Sequence, residues 1–144
     1  MRIRRLNHSI YQIEYHIVWG TKYRRKFFIP VARKELKKCI YQLERTYPDW
    51  HIVSVNTDRD HIHLIIEFPP KYSIASVVQK LKAHTCFQLK KRFKYIRQIY
   101  EKNGSIWGVG YFVSTIGLNE EQIKRYVELQ DKDNRGSTIT DEFE

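Results

Sequence analysis

Two short apolar segments separated by only three polar residues fix the centre of this chain. Residues 50–57 are rich in β-branched side chains, and residues 61–68 follow directly after Asp58-Arg59-Asp60. Parallel strands need a crossover of a dozen or more residues, so a connection this short demands an antiparallel hairpin. A run of helical period lies on each side of it. Upstream, Pro30 suits a first helical turn, and Leu36, Cys39, Ile40, Leu43 and Tyr47 recur at helical spacing until Pro48. Downstream, Pro69-Pro70 ends the strand. Ser73 then offers a cap to a long helix striped by Ile74, Val77, Val78, Leu81 and Leu89.

Two further strands flank these helices. In residues 11–19, Ile13, Tyr15, Ile17 and Trp19 alternate with Gln12, Glu14 and His16, as in a half-buried strand. After a turn at Asn103-Gly104, residues 106–115 predict a Gly-containing aromatic strand. Asn119 stands three residues before Gln122, a capping-box-like start to a last helix ending near Gln130. The order β-α-β-β-α-β plus a C-terminal helix predicts an α+β chain of ferredoxin-like split βαβ type. Its antiparallel sheet would carry two helices on one face and leave the opposite face open. With 144 residues there is room for one domain, residues 1–131, followed by a polar and flexible tail, 132–144.

Charge is unevenly spread. The chain carries a formal +10, yet residues 118–144 hold more acids than bases, so the body is more basic than the total suggests. No Asp or Glu occurs from Phe68 to Tyr100, while Lys71, Lys80, Lys82, Lys90, Lys91, Arg92, Lys94 and Arg97 do. A second cluster is Lys22-Tyr23-Arg24-Arg25-Lys26. A basic body points to a polyanionic partner, nucleic acid before an anionic membrane surface. No apolar run approaches the ~20 residues of a membrane span, and no apolar segment follows the basic N-terminus as in a secretory signal. Cys39 and Cys86 stand far apart without partner spacing, as small apolar residues in a reducing compartment do. The expectation is a soluble cytoplasmic protein.

The chemistry-bearing residues sit on the third strand and the last helix. Period two places His61 and His63 together on the face turned away from Ile62, Leu64 and Ile66, about 7 Å apart at Cα. From that spacing two imidazoles can converge on one divalent cation. Tyr126 and Gln130 lie one helical turn apart on one face, a nucleophile candidate beside a neutral oxygen ligand. Asp58 and Asp60 are expected as turn residues, and His16 and His84 as core or surface residues.

These motifs, in this order, resemble the HUH single-strand DNA transposases of small insertion sequences, which use one tyrosine. The carriers are Tyr15-His16-Ile17-Val18-Trp19 running into Lys22-Tyr23-Arg24-Arg25, then Asp58-Arg59-Asp60-His61-Ile62-His63. Tyr111-Phe112-Val113-Ser114-Thr115-Ile116-Gly117 and Tyr126-Val127-Glu128-Leu129-Gln130 complete them. The resemblance spans about residues 11–130. It implies His61, His63 and Gln130 as ligands of Mg²⁺ or Mn²⁺, and Tyr126 as the nucleophile that forms a 5′-phosphotyrosine. It also implies recognition of DNA hairpins at element ends, and a homodimer in which the tyrosine helix of one subunit completes the site of the other, although the spacing itself leaves docking in cis or in trans open. Lys22, Tyr23, Arg24, Arg25, Lys80 and Lys82 are the expected contacts to single-stranded DNA. The rivals are a domesticated relative acting on chromosomal palindromes, a rolling-circle initiator, a zinc enzyme, and a non-catalytic RRM-like module. An RRM would carry aromatics where this chain has His61 and His63, and zinc would ask for a third His or Cys.

Overall fold

The computed structural model describes residues 3–5, 10–11, 13–100, 104–115 and 120–133, without the side chains of 10, 120 and 130–133. The elements run β1 (Arg4–Arg5), β2 (Ile10–Tyr11), β3 (Tyr15–Gly20), a 3-10 turn (Lys22–Arg24) and α1 (Pro30–Thr46). There follow β4 (His51–Thr57), β5 (His61–Glu67), α2 (Ile74–Arg92), α3 (Lys94–Ile99), β6 (Phe112–Ser114) and α4 (Glu120–Asp133). The main sheet has the order β4-β5-β3-β6 with every neighbouring pair antiparallel. This is the ferredoxin-like split βαβ arrangement that the element order predicts.

Each helix boundary has a local cause. Pro30 occupies the first turn of α1, where its missing N–H removes no helical bond, and α1 buries Ala32, Leu36, Cys39, Ile40 and Leu43. The Ser73 side chain accepts from the Ser76 N–H at 3.1 Å to cap α2. Facing these helices, Ile17 and Trp19 of β3 and Ile62, Leu64 and Ile66 of β5 are fully buried in the main core.

Three expectations change. The first strand is interrupted: Tyr11 pairs with Arg4 in a separate two-stranded ribbon, and only residues 15–20 enter the main sheet. Arg4 is held by the buried Glu67 at 2.6 Å, which fastens the ribbon to the end of β5. The long basic helix ends at Arg92, and extended backbone at Phe93 separates it from α3. The aromatic strand of residues 106–115 shrinks to Phe112–Ser114, preceded by an isolated Trp107–Thr21 bridge. Gly110 at φ +90° leaves the extended region, and Lys82 Nζ draws the Gly108 and Gly110 carbonyls to 2.9 and 2.7 Å. Finally, the face away from α1 and α2 is not open, because α4 packs over β3 there. Val18, Tyr126 and Val127 form a second apolar cluster, flanked by Phe112 and Ile123. Asn119, the expected cap of α4, and the tail from residue 134 lie outside the described residues.

Candidate active site

Because Ile62, Leu64 and Ile66 point into the main core, His61 and His63 face the α4 side of the sheet. Across the pairing with β3, His63 stands opposite Val18, and His61 opposite Gly20, which puts no side chain beside the imidazole. The two rings differ in what holds them. Asp60 Oδ1 lies 2.9 Å from His61 Nδ1, a contact that in the neutral ring favours the proton on Nδ1 and the lone pair on Nε2. His63 Nε2 is buried and has no hydrogen-bond partner among the described residues. Burial first, then the neighbouring His16 and His61, hold His63 below the ordinary histidine range, so its imidazole is neutral near pH 7.

Asp60 is the residue that sequence reasoning undervalued. Its near neighbour Asp58 behaves as a turn residue, its Oδ1 accepting from the Arg59 N–H at 2.7 Å. Asp60 instead is buried and bridges two elements, with Oδ2 taking a bond from Arg24 Nε at 3.3 Å while Oδ1 holds His61. Burial alone would raise its pKa. The hydrogen bond and charge of His61, with the Arg24 guanidinium, outweigh that and hold the carboxyl below its ordinary value. The available signal was an acid immediately before a strand histidine. His16 is also on this face, with its ring 5.7 Å from that of His63, Nε2 bonded to Glu14 Oε1 at 3.1 Å, and Nδ1 buried.

Tyr126 is fully buried between sheet and helix, its ring 6.1 Å from that of Phe112. It shares a cluster with Val18, the cross-strand neighbour of His63. The same helix turns Ile123 and Lys124 into a cleft of about 460 Å³ lined also by Asn56, Thr57, His61 and His63. Gln130 lies one turn beyond Tyr126 on α4, with its side chain outside the described residues. Among the described residues no group of three His, Cys, Asp or Glu is placed to hold a metal. A lone pair on each of His61 and His63 fits two positions of a divalent cation and leaves further ligands to be supplied.

The basic turn adjoins this cleft. A second recess of about 380 Å³ shares His61 and Lys124 with the first and reaches Arg24 and Lys26. Tyr23 is exposed, with Lys22 Nζ 5.5 Å and the Arg25 guanidinium 5.7 Å from its ring centre. Tyr23 and Arg24 both adopt left-handed backbone, φ 61° and 52°, a conformation that non-glycine residues keep only when the surroundings impose it. Here Thr21 Oγ1 bonds the Arg25 carbonyl at 2.9 Å, and Tyr100 Oη bonds that of Lys22 at 2.9 Å. Lys80 and Lys82 are not brought to the histidines. They lie on α2, across the sheet, where Lys80 Nζ bonds Ser76 Oγ and Lys82 is committed to the two glycine carbonyls. No helix among the described residues is long and apolar enough to cross a membrane.

Comparison with known proteins agrees with this arrangement. Residues 9–130 match the model of a family described as transposase, IS200 like. The transposase of insertion sequence IS200 from Salmonella typhimurium is 31% identical over 139 residues, covering 94% of this chain and 88% of the relative. The ISDra2 transposase TnpA of Deinococcus radiodurans is 28% identical over 124 residues, 84% of this chain and 86% of its own. A crystal structure of a Deinococcus radiodurans protein assigned as a transposase superposes with a TM-score of 0.76 at 25% identity, over 88% of this chain and 97% of that one. A REP-associated tyrosine transposase bound to a REP hairpin shares the fold, at a TM-score of 0.53 and 14% identity, over 91% and 73% of the two chains. With most of its length matched by the family and its sheet, histidine pair and tyrosine helix assembled on one face, this chain belongs to the IS200-like transposases.

Proposed function

We propose that this transposase cleaves and rejoins single-stranded DNA at the ends of an insertion sequence through a covalent 5′-phosphotyrosine on Tyr126, so excising and inserting the element. The observation that carries this reading is the register of the site. His61 and His63 offer lone pairs on the sheet face against which α4 lays Tyr126, inside a family of transposases. His61, His63 and Gln130 would hold Mg²⁺ or Mn²⁺, which when bound polarises the scissile phosphate and offsets its developing charge.

The chain's own residues account for the remaining chemistry. The Tyr126 oxygen attacks phosphorus and loses its proton as the P–O3′ bond breaks, and the departing 3′ oxygen becomes a hydroxyl. One phosphodiester replaces another, so a later 3′-OH can reverse the attack and join a new strand without any nucleotide cofactor. Asp60 orients His61, and Lys124, lining both clefts, is placed to meet backbone phosphate. The exposed Tyr23 ring among Lys22 and Arg25 suits a base beside its phosphate. Hairpin DNA at the element ends is the substrate on this reading, in line with the REP hairpin bound to the REP-associated tyrosine transposase, and a homodimer is the working assembly.

Incubation with labelled single-stranded DNA from the element's ends, with Mg²⁺, Mn²⁺ or EDTA, should give a metal-dependent adduct that survives a denaturing gel. Tyr126→Phe should abolish the adduct and leave DNA affinity unchanged. An undiminished adduct in that variant removes Tyr126 from the reaction. Tight binding without any adduct in the wild type favours a binding module.

A further inference from the structure

The crossover side of the sheet carries a surface that the histidine site does not use. Phe87 stands out from α2 with 63% of its area exposed, more than any other aromatic ring among the described residues. Lys90 and Lys91 follow it by three and four positions and share its side of the helix. With Arg97 of α3 they line a cleft of about 470 Å³ beside the ring. A second recess of about 360 Å³ continues past Phe87 and Lys90 to Gly104 and Ser105. The ring thus stands between two hollows, in a stretch of sequence with no acidic residue from Phe68 to Tyr100.

Part of this charge has a structural use. Cations in the last turn of α2 suit the helix dipole. Arg97 Nη1 bonds the Lys90 and Lys91 carbonyls at 2.6 and 3.0 Å, and Lys90 Nζ bonds the Gly104 carbonyl. Among the described residues those bonds leave Arg97 Nε and Nη2 and the exposed Lys91 ammonium for an anion. They give no reason for a bare phenyl ring, which caps nothing and answers no dipole. Lys80 and Lys82, the more obvious cations of this helix, are turned to internal oxygens.

We infer that Phe87, Lys91 and Arg97 form a second contact for single-stranded DNA, in which one unpaired base stacks on Phe87 while Lys91 and Arg97 take the neighbouring phosphates. An aromatic face beside cations, without a matching row of hydrogen-bonding groups, accepts any base and selects for strands whose bases are not already stacked. Duplex DNA offers only phosphate here. Since α2 packs on the opposite face of the sheet from His61 and His63, this contact holds a part of the strand that does not react. The inference rests on the reading of the chain as a single-strand enzyme, but its binding test does not require cleavage.

The test uses the full chain, fluorescein-labelled dT20, and the same oligonucleotide annealed to dA20. Phe87→Leu, which keeps an apolar side chain, should weaken dT20 binding by about tenfold and leave the duplex unaffected, while Phe87→Trp restores or exceeds wild-type affinity. Lys91→Gln should lower the slope of log affinity against log salt by about 0.7, and Phe87→Leu should not change it. Adduct formation at saturating DNA should be unaltered in these variants. If a Tyr126-dependent adduct fails to form in the wild type while Phe87→Leu still weakens dT20, the surface stands and the cleavage reading falls. Unchanged dT20 affinity in both Phe87→Leu and Lys91→Gln overturns the inference. So does loss of self-association by sedimentation in Phe87→Leu with dT20 affinity intact, which would make this face a protein interface.

Discussion

Asp60 and Lys82 show how a side chain's role is settled by groups far away in sequence. Asp60 follows two turn residues and looks like a third, yet Arg24, 36 positions earlier, returns to share its carboxylate with His61. Asp60→Asn keeps the size and loses the charge that fixes the His61 proton on Nδ1. Outer-shell partners of this kind typically matter by 10–100-fold, so divalent-metal affinity by calorimetric titration should fall about tenfold or more. Lys82 looks like a surface cation on a basic helix, but the glycine carbonyls of residues 108 and 110 surround its ammonium, and burial lowers its pKa to about 8. In the unfolded chain it titrates near 10.5. Between those values the unfolded state binds more protons, so this group makes stability rise with pH across that window and costs most below it. Lys82→Met should flatten that slope: the melting temperature of wild type minus that of the variant should increase from pH 8 to pH 10.

At the scale of elements, what was legible depended on whether the cause was local. The hairpin of β4 and β5, the Pro30 start of α1 and the Ser73 cap of α2 each follow from residues within a few positions, and the structure has them where the pattern puts them. The shared face of His61 and His63 and the helical run that carries Tyr126 were legible for the same reason, as periodicities of two and of 3.6, while the roles expected of them came only from the resemblance. The strand before α4 was not, because a lysine 26 positions upstream captures the carbonyls that a ladder would need. The covering of the α4 face escaped too, since nothing local tells which side of a sheet a terminal helix will choose. Gly110 marks the place where the strand fails. Its φ of +90° suits no L side chain, while a Cβ there would meet nothing within 4 Å. Gly110→Ala should therefore carry a backbone cost alone, about 1–2 kcal/mol, measurable by urea denaturation without a change of slope.

The whole molecule is a sheet with unequal cores on its two faces. One side holds α1 and α2 on a large set of fully buried aliphatic and aromatic residues, and the other holds α4 on Val18, Tyr126 and Val127. Regions with little buried apolar surface open at lower free energy than the global unfolding. Native-state hydrogen exchange should find the amides of α4 exchanging through a smaller opening free energy than those of β3 and β5. Equal protection would mean that α4 is a full member of the main core. Tyr126 has no exposed surface while α4 is docked. A hydroxyl so enclosed meets no phosphodiester in bulk solution, and any strand must wait for the helix to lift or for its own binding to lift it. On the function proposed above, the nucleophile would be rationed by a conformational equilibrium, and substitutions that loosen or tighten the seat of one helix would act as a throttle on how often the chain cuts, without touching an atom of the chemistry.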